Sequence, residues 1–460
     1  MKAFSGTLLR LFFAGAVLAA AIAAALVFSG VVPPYYEREF SDDDFGPPAL
    51  DLKLVRFDDL SGWLQDDPGP ALETFVRSCA RFEEMEPEAS ANPLENLGIN
   101  DPALTLSGTI ADWLRPCAEA RALLVSAYSD PGGRRGALRA FFEFHFTPIE
   151  IAVARAPLPG GRARRAPPRI EHTGTFTGYF EPVYQASHTR TINHSAPVLP
   201  RPDDLVEVDL GQFRDTLKGE RIAGRVEGGR LVPYDAREAI EATDHPDEAP
   251  LAWLDPNDLF FLQIQGSGRL VFDDGGMMRV GYAAQNGHPY TAVGRVMVER
   301  GIMPLEEITM QSIRGWLDEA ISTEARALRE ENASYVFFRS LEDVDPALGP
   351  LGAQGAPLTP GRSLAVDRRY HALGAPVWVN IDPMASEEQT ILSAKPIRRL
   401  MIAQDTGGAI KGPVRGDVFW GAGDEAAAIA GAMNAKGRMT VLLPRRLAER
   451  IPRKYLRDAQ

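Results

Sequence analysis

The stretch RLMIAQDTGGAIKGPVRGDVFWG, residues 399–421, holds two aspartates, Asp405 and Asp417, within one glycine-rich segment. The apolar runs on either side of the glycines, like the nearby SLAVD, APVWVNI and MTVLLP, have the length of buried strands. Many short strands separated by turn residues favour β-barrels over a doubly wound parallel sheet. The segment therefore predicts a mainly β fold and raises the question of which aspartate does chemistry.

The remainder of the chain changes character along its length. Residues 35–54 are rich in acid and proline and predict a linker. From about residue 60 to 151, apolar residues recur at three- and four-residue intervals, which predicts an N-terminal helical part. From residue 176 onward, TFTGYFEPVY, FFLQIQGSGRLVF and RVGYAAQNGHPY predict short strands and turns, interrupted by helices near YTAVGRVMVERG and MQSIRGWLDEA.

Length and charge bound the possible functions. At 460 residues and 45% hydrophobic content, the chain can form two or three domains, each with a buried core. The formal net charge of -13 argues against nucleic acid as a general partner, because phosphate binding needs a basic face. Two basic runs, GGRARRAPPR and the C-terminal PRRLAERIPRKYLR, are interpreted as a solvated loop and a solvated tail.

The N-terminal segment predicts export. Lys2 and Arg10 precede the apolar run LFFAGAVLAAAIAAALVFSGVV, and an acidic stretch at 41–44 follows it, a charge asymmetry that orients the rest of the chain outward. The run exceeds the usual signal-peptide core of about 7–15 residues. Residues 1–34 are therefore expected to anchor a periplasmic protein in the inner membrane or to be cleaved after export. No cysteine stands directly after the run, where a lipid would be attached, so a lipoprotein is not expected.

The two cysteines, Cys79 and Cys117, both lie in helix-like patterns. An even pair of cysteines in an exported protein favours a disulfide. The alternative is two small buried apolar side chains. Neither neighbourhood suggests a nucleophile or a metal ligand.

Common catalytic motifs are not found in the sequence. GGAIKG lacks the spacing of a phosphate loop, the seven histidines are scattered without HExxH, and QGSGR does not match the nucleophile elbow GxSxG. The sequence therefore predicts no metal and no cofactor.

The two aspartates of the opening segment allow different interpretations. Asp405 begins DTG, the tripeptide of aspartic proteases, but two carboxylates sharing one proton would require a symmetric dimer of this chain. The alternative for Asp405 is a turn in which it accepts backbone N–H groups. Asp417 precedes Phe419 and Trp420, and a carboxyl beside such rings in a partly dry cleft has a raised pKa, as a general acid at neutral pH requires. The alternative for Asp417 is also a turn residue.

Six segments occur in the order GTFTGYFEPVYQASHTR, FFLQIQGSGRLVF, VGYAAQNGHPYTAVGRVM, NASYVFFR, SLAVDRRYHALGAPVWV and MIAQDTGGAIKGPVRGDVFWG. Together they resemble the membrane-bound lytic murein transglycosylase A (MltA) family, and the resemblance extends from about residue 174 to 444. The resemblance implies that the three aspartates of the family's C-terminal 3D module fall on Asp367, Asp405 and Asp417. It further implies that Asp417 is the catalytic acid and that the other two support it.

The resemblance also implies an architecture. Residues 55–178, which include the helical part, and 342–445 would form a double-psi β-barrel domain split in sequence, with a second barrel-like domain of 179–341 inserted and a basic tail at 446–460. Peptidoglycan glycan strands would bind in the groove between the two domains. The groups expected to line the groove, unless they serve turns or packing, are Tyr179, Gln263, Gln265, Ser267, Tyr282 and Asn286.

The implied activity is cleavage of the β-1,4 bond between N-acetylmuramic acid and N-acetylglucosamine, with formation of 1,6-anhydromuramic acid, for cell-wall turnover. One aspartate can suffice, because the sugar's own 6-hydroxyl attacks C1 with a high effective molarity and replaces a second carboxylate. Two other functions stay open at this point. One is a dimeric aspartic protease using Asp405, Thr406 and Gly407, and the other is a non-catalytic murein-binding module.

Overall fold

The computed structural model describes residues 44–99, 101, 104–127, 134–160, 166–217, 221–245, 249–341, 345–382 and 395–457. The predicted anchor and the first part of the predicted linker lie outside these ranges. Within the ranges, none of the helices has the length and apolar character needed to cross a membrane.

Contacts divide the chain into two compact units. Of the described residues, one unit contains 44–49, 154–160 and 166–170, and in it Phe45 bridges Pro157. The other comprises Leu50–Val153 and Glu171–Gln460, and it contains the three predicted aspartates Asp367, Asp405 and Asp417.

The fold is rich in sheet and also contains helices. The helices, in chain order, are α1 (Gly69–Phe82), α2 (Ile110–Ala127), α3 (Arg134–His145), α4 (Arg237–Ala242), α5 (Pro256–Gln265), α6 (Val293–Glu299), α7 (Met310–Glu319), α8 (Ser322–Glu330), α9 (Asp424–Ala432) and α10 (Arg445–Ala448). The strands are β1 (Ala49–Leu54), β2 (Phe146–Arg155), β3 (Arg169–Glu171), β4 (Gly174–Glu181), β5 (Val183–Ala186), β6 (Ala196–Val198), β7 (Val206–Asp209), β8 (Arg221–Glu227), β9 (Arg230–Pro233), β10 (Ala252–Leu254), β11 (Ser267–Phe272), β12 (Met277–Gln285), β13 (Val336–Ser340), β14 (Ser363–Val366), β15 (Pro376–Ile381), β16 (Ile397–Asp405), β17 (Arg415–Ala422), β18 (Asn434–Pro444) and β19 (Leu456–Arg457).

Six strands pair in a closed ring. Their order is β15–β16–β14–β17–β4–β18, and β18 pairs back onto β15. The β14–β16 and β17–β4 pairs are parallel, and the other four are antiparallel. The five short strands predicted around the opening segment are confirmed as β14 to β18. Because the ring closes, none of these six strands presents a free edge within it.

A second set of sheets follows directly after β4. Strands β5, β11, β12 and β13 form one sheet, and β6 pairs with β10. Isolated bridges join Ser187 to Trp253 and Pro200 to Phe338. These bridges link the four-stranded sheet to the β6–β10 pair at both ends, so the pairings of this part also form a closed ring. Apolar side chains from α5, α6 and β11 fill its core. Strands β7, β8 and β9 form a separate sheet.

Helix α1 packs on the six-stranded ring. Its Leu72, Phe75 and Cys79 recur at three- and four-residue intervals and are fully buried, and its Ser78 hydroxyl accepts a hydrogen bond from Gln404 of β16 at 2.9 Å. A disulfide joins Cys79 to Cys117 of α2 across 38 positions of sequence. In the chain-entropy model, closing a loop of this length contributes about 3–4 kcal/mol to stability.

The run FFLQIQ, which the sequence predicts as strand, belongs to helix α5. The side chain of Asp255 caps the helix by accepting two backbone N–H groups, Pro256 occupies the first turn, and Gly266 at φ 78° ends the helix. Most of the run is buried, so its apolar residues show no periodicity that would distinguish a helix from a strand.

The basic C-terminal segment, predicted to be a solvated tail, is folded. Strand β19 pairs in parallel with β1, which occupies the end of the predicted linker. Arg450 donates to both carboxylate oxygens of Asp112 at 2.8 and 2.6 Å, and Arg457 pairs with Asp51. The acidic partners come from more than 300 residues away, so charge composition alone could not predict these contacts.

Candidate active site

The ring brings two of the predicted aspartates to one place. Asp417 on β17 stands opposite Ala365 of β14 on one side and opposite Thr177 of β4 on the other. Asp405, at the end of β16, is paired with the same Ala365 from its other side. Strands lie about 4.8 Å apart, so the Cα atoms of the two aspartates are separated by about 10 Å.

Asp417 lies partly buried in a small hydrogen-bond network. The Thr177 hydroxyl donates to its Oδ1, and Arg415 donates to the Thr177 oxygen at 2.8 Å. Burial raises the pKa of Asp417 and the charge of Asp405 raises it further, while the Thr177 hydrogen bond and Arg415 oppose the shift. The result is a carboxyl group that holds its proton more tightly than an ordinary aspartate.

The two rings after Asp417 do not share one environment. Phe419 is buried with its ring centroid 5.3 Å from that of Tyr179. Trp420 follows on the strand and donates its indole N–H to the sulfur of Met433. A Cβ atom on Gly178 would lie 2.8 Å from the Trp420 ring, so glycine permits this close packing. The interpretation that both rings flank Asp417 is therefore corrected, because neighbouring residues of a strand alternate in direction.

Asp405 shapes a turn and binds a tyrosine. Its Oδ1 accepts the backbone N–H groups of Ala353 and Thr406, each at 2.9 Å, and its Oδ2 accepts the hydroxyl of Tyr179 at 2.9 Å. Burial raises the pKa of Tyr179 well above its usual range, and Asp405 raises it further. Tyr179 is therefore a permanent donor at neutral pH, and both oxygens of Asp405 are occupied.

Asp367 supports the loop between the other two aspartates. Its carboxylate accepts the backbone N–H of Gly412 at 2.7 Å and a guanidinium N–H of Arg369 at 2.6 Å. Burial disfavours the charged form of Asp367, but these hydrogen bonds outweigh that effect and lower its pKa. Asp367 is thus an ionised anchor for the glycine-rich loop.

A cavity of about 200 Å³ adjoins this cluster. Tyr179, Gln265 and Ser267, all predicted to line the groove, contribute to its wall together with Asp405 and Phe419. The left-handed Gly266 between α5 and β11 lets the chain turn so that the residues on both sides of it reach the cavity.

The other three predicted groove residues lie elsewhere. Gln263 is buried and donates to the carbonyl oxygen of Val336 at 3.2 Å. Asn286 is 1% exposed, and its side chain bonds backbone groups of Asp235, Ala333 and Tyr335. Tyr282 is exposed at a bulge of β12 and does not line this cavity. Gln263 and Asn286 therefore fit the alternative interpretation, in which these residues hold turns and pack the interior.

Sequence reasoning missed Thr177, Arg415 and Glu181. Thr177, Tyr179 and Glu181 are alternate residues of β4, so period-two spacing from Tyr179 would have indicated the other two. Glu181 also lines the cavity and forms ion pairs with Arg279 at 2.6 Å and Arg269 at 2.8 Å. This triad connects β4 of the ring with β11 and β12 of the second set of sheets.

Replacing Asp405 by alanine should destabilise the protein. The N–H groups of Ala353 and Thr406 and the hydroxyl of Tyr179 would lose their acceptor, which costs about 1–3 kcal/mol of unfolding free energy. Turnover should fall along with the fraction of folded, correctly aligned protein. The measurement is urea unfolding and turnover of Asp405→Ala, with Asp405→Asn as the matched variant that keeps an acceptor oxygen. An inactive Asp405→Ala with unchanged stability would instead assign Asp405 to the chemistry.

In the part of the chain that the structure describes, no three His, Cys, Asp or Glu side chains converge as ligands of a metal ion would.

Known proteins share the segments that build this site. Two family models match the chain, the MltA specific insert domain over residues 175–339 and the 3D domain over residues 362–443. The membrane-bound lytic murein transglycosylase A of Escherichia coli (strain K12) is 33% identical over 270 residues, which cover 58% of this chain and 65% of that protein.

Solved structures agree with these matches. MltA from Neisseria gonorrhoeae is similar with a TM-score of 0.65 and 29% identity, covering 86% of this chain and 91% of that one. The membrane-bound lytic murein transglycosylase from Agrobacterium tumefaciens gives a TM-score of 0.62 and 31% identity, covering 87% of this chain and 100% of that one.

Proposed function

The chain belongs to the MltA family, and on that premise we propose that it is a lytic transglycosylase of peptidoglycan. Its substrate would be the β-1,4 bond between N-acetylmuramic acid and N-acetylglucosamine, and its product a glycan ending in 1,6-anhydromuramic acid. The match to the E. coli relative spans 65% of that protein's length, so the relative's name supports this activity without assigning it residue by residue.

The observation that carries the proposal is the state of Asp417. Burial raises its pKa above that of an ordinary aspartate, so it holds a proton more tightly, and in its protonated form it would pass that proton to the glycosidic oxygen as the C1–O4 bond breaks. The resulting carboxylate would then take the proton of the 6-hydroxyl as the C1–O6 bond forms. Asp417 ends the cycle protonated, so no second acid is needed.

The hydrogen bonds of Asp405 support the same conclusion, because they make Asp405 unsuited to the chemistry. Its two oxygens already accept three hydrogen bonds, which makes it a poor nucleophile and a poor partner for a shared proton. We assign Asp405 and Asp367 supporting roles. The intramolecular 6-hydroxyl attack supplies the effective molarity that a hydrolase obtains from a second carboxylate.

We infer that the glycan strand binds along the cavity beside Asp405, where Gln265 and Ser267 supply amide and hydroxyl groups and Tyr179 forms part of the wall. The proposal needs no cofactor.

The architecture and the location are proposals as well. We infer that the six-stranded ring is a double-psi barrel with a helical N-terminal part, built from 55–178 and 342–445, and that 179–341 form the inserted domain. We also propose a periplasmic protein held at, or released from, the inner membrane through residues 1–34. Relatives named as membrane-bound and the charge asymmetry of the N-terminal segment support this location.

The test is the identity of the products. Purified protein incubated with isolated murein should release fragments that end in 1,6-anhydromuramic acid, identified by mass, and EDTA should leave the rate unchanged. Reducing ends as the main product would indicate hydrolysis and contradict the proposal. Binding without release would instead indicate a murein-binding module.

A further inference from the structure

A cavity at the far end of β18 is not used by the proposed reaction. It has a volume of about 390 Å³ and lies between α2, the end of α3 and α10. Asn434, at the start of β18, pairs with Thr177 of the active site, whereas Pro444, at its end, lines this cavity. The two sites therefore lie at opposite ends of β18, and none of the residues that line this cavity belongs to the cluster around Asp417.

Four arginines line the cavity: Arg115, Arg445, Arg446 and Arg450. Two of them are neutralised, because Arg115 pairs with Glu119 at 2.9 Å and Arg450 pairs with Asp112.

The other two guanidinium groups have no carboxylate partner within the described part of the chain. Arg445 donates to the backbone carbonyl oxygens of Phe144 and Glu143 in the last turn of α3, at 3.1 and 2.9 Å, so no carboxylate neutralises its charge. Arg446 is exposed and makes no hydrogen bond or ion pair with any described residue. The cavity therefore carries two guanidinium groups that pair with no carboxylate of the described residues, on a chain of net charge -13.

The remaining wall is largely apolar. Phe144, Pro116 and Pro444 line it, and His145 is 9% exposed and bonds Glu119 at 2.9 Å. Burial lowers the pKa of His145 and the charges of Arg115 and Arg445 lower it further against the pull of Glu119, so the histidine stays neutral at neutral pH. A ligand that fits must combine an anionic group with a short apolar portion.

We propose that this cavity binds a carboxylate-bearing peptide and, resting on the proposed function, that its ligand is the acidic peptide attached to the muramic acid of murein. Guanidinium groups bind carboxylates with paired N–H donors, and the apolar wall suits small side chains such as alanine. An anionic membrane surface is a poorer match, because docking on lipid headgroups uses clusters of about four to eight cations, and only two arginines of this cavity lack a carboxylate partner. The cavity would hold a peptide of the wall while the active site cuts glycan.

The test compares two forms of the same polymer. Full-length protein carrying Asp417→Asn, so that the polymer is not degraded, is sedimented with intact sacculi or with sacculi stripped of peptide by an amidase. Arg446→Glu should weaken binding to intact sacculi about tenfold, the size of one charge-assisted hydrogen bond, and leave binding to stripped sacculi unchanged. Arg446→Gln should act in the same direction with a smaller loss. Arg230→Glu, the same charge change at an exposed residue of β9, is the matched control and should change neither.

Equal binding of parent and Arg446→Glu to intact sacculi would overturn the proposal, as would an equal loss on stripped sacculi. Binding to vesicles of anionic phospholipid is measured alongside. If Arg446→Glu weakened binding to these vesicles and not to sacculi, the cavity would be assigned to lipid instead. Release of anhydro products by protein that retains Asp417 is measured separately on both substrates, so failure of the proposed reaction is distinguishable from failure of the peptide site.

Discussion

Asp417→Asn should fold like the parent, bind murein and lose turnover by a factor of about 10²–10⁴ or more. The amide keeps the shape of the carboxyl and can still accept the hydrogen bond from Thr177, but it can neither protonate the leaving oxygen nor take up the 6-hydroxyl proton. The measurement is the rate of release of anhydro-terminated fragments, with binding to sacculi assayed in parallel. Asp58→Asn, an exposed aspartate outside the cavity, is the matched control and should retain full turnover. A fully active Asp417→Asn would assign the chemistry to another residue.

The stability of this variant has a predictable dependence on pH. Burial raises the pKa of Asp417 above its ordinary value of 3.8, so the folded state binds the proton more tightly than the unfolded state. Ionisation therefore costs the folded parent free energy as the pH rises from 3.8 through the raised pKa. The asparagine removes that cost. The variant should be at least as stable as the parent at neutral pH, and the difference should vanish below about pH 3, as urea unfolding at both pH values would show.

Prediction from sequence succeeded where local signals are sharp. Strands β14 to β18 are short apolar runs bounded by Gly, Pro or Asp, and each pattern is long enough for a strand and too short for a buried helix. Helix α5 has the same kind of apolar run, and only its cap, Asp255-Pro256, distinguishes it. Because this cap is a start signal for a helix, it indicates the correct structure for this element where the apolar run alone does not.

The site was predictable only in part, because its geometry depends on pairing between distant strands. The resemblance to a family indicated Asp417, but nothing local to it indicates Thr177, which is 240 positions away and becomes its neighbour through the parallel β17–β4 pair. Likewise, nothing local to Asp405 indicates Tyr179, which is distant in sequence and donates a hydrogen bond to it. For Gln263 and Asn286 the sequence predicted ligand contacts where the structure has internal hydrogen bonds. Both are polar residues of a distinctive motif, and their side chains bond buried backbone groups.

Breaking the ion triad of Glu181, Arg269 and Arg279 should lower the stability of the protein more than the loss of the Asp405 carboxylate does. The Glu181 side chain is completely buried, Arg279 is 6% exposed, and both arginines also donate to the Leu348 carbonyl oxygen. Glu181→Ala removes the counter-charge and leaves two guanidinium groups in a poorly hydrated place. Breaking a buried ion pair in this way costs about 3–5 kcal/mol of unfolding free energy. Urea unfolding measures it, and Glu299→Ala, which breaks an exposed pair with Arg295, should cost less than about 1 kcal/mol.

A triple variant, Glu181→Leu with Arg269→Met and Arg279→Met, separates charge from shape. Buried ion pairs replaced together by apolar side chains of similar volume often regain stability, because no charge remains to be desolvated. The triple variant should therefore recover most of the stability that Glu181→Ala loses. Since the triad connects β4, which carries Thr177 and Tyr179, to the strand that begins at Ser267, turnover should return together with stability if these residues only hold the two walls of the cavity in place. A stable triple variant that binds murein but does not turn it over would show that the charged triad does more than hold these walls in place.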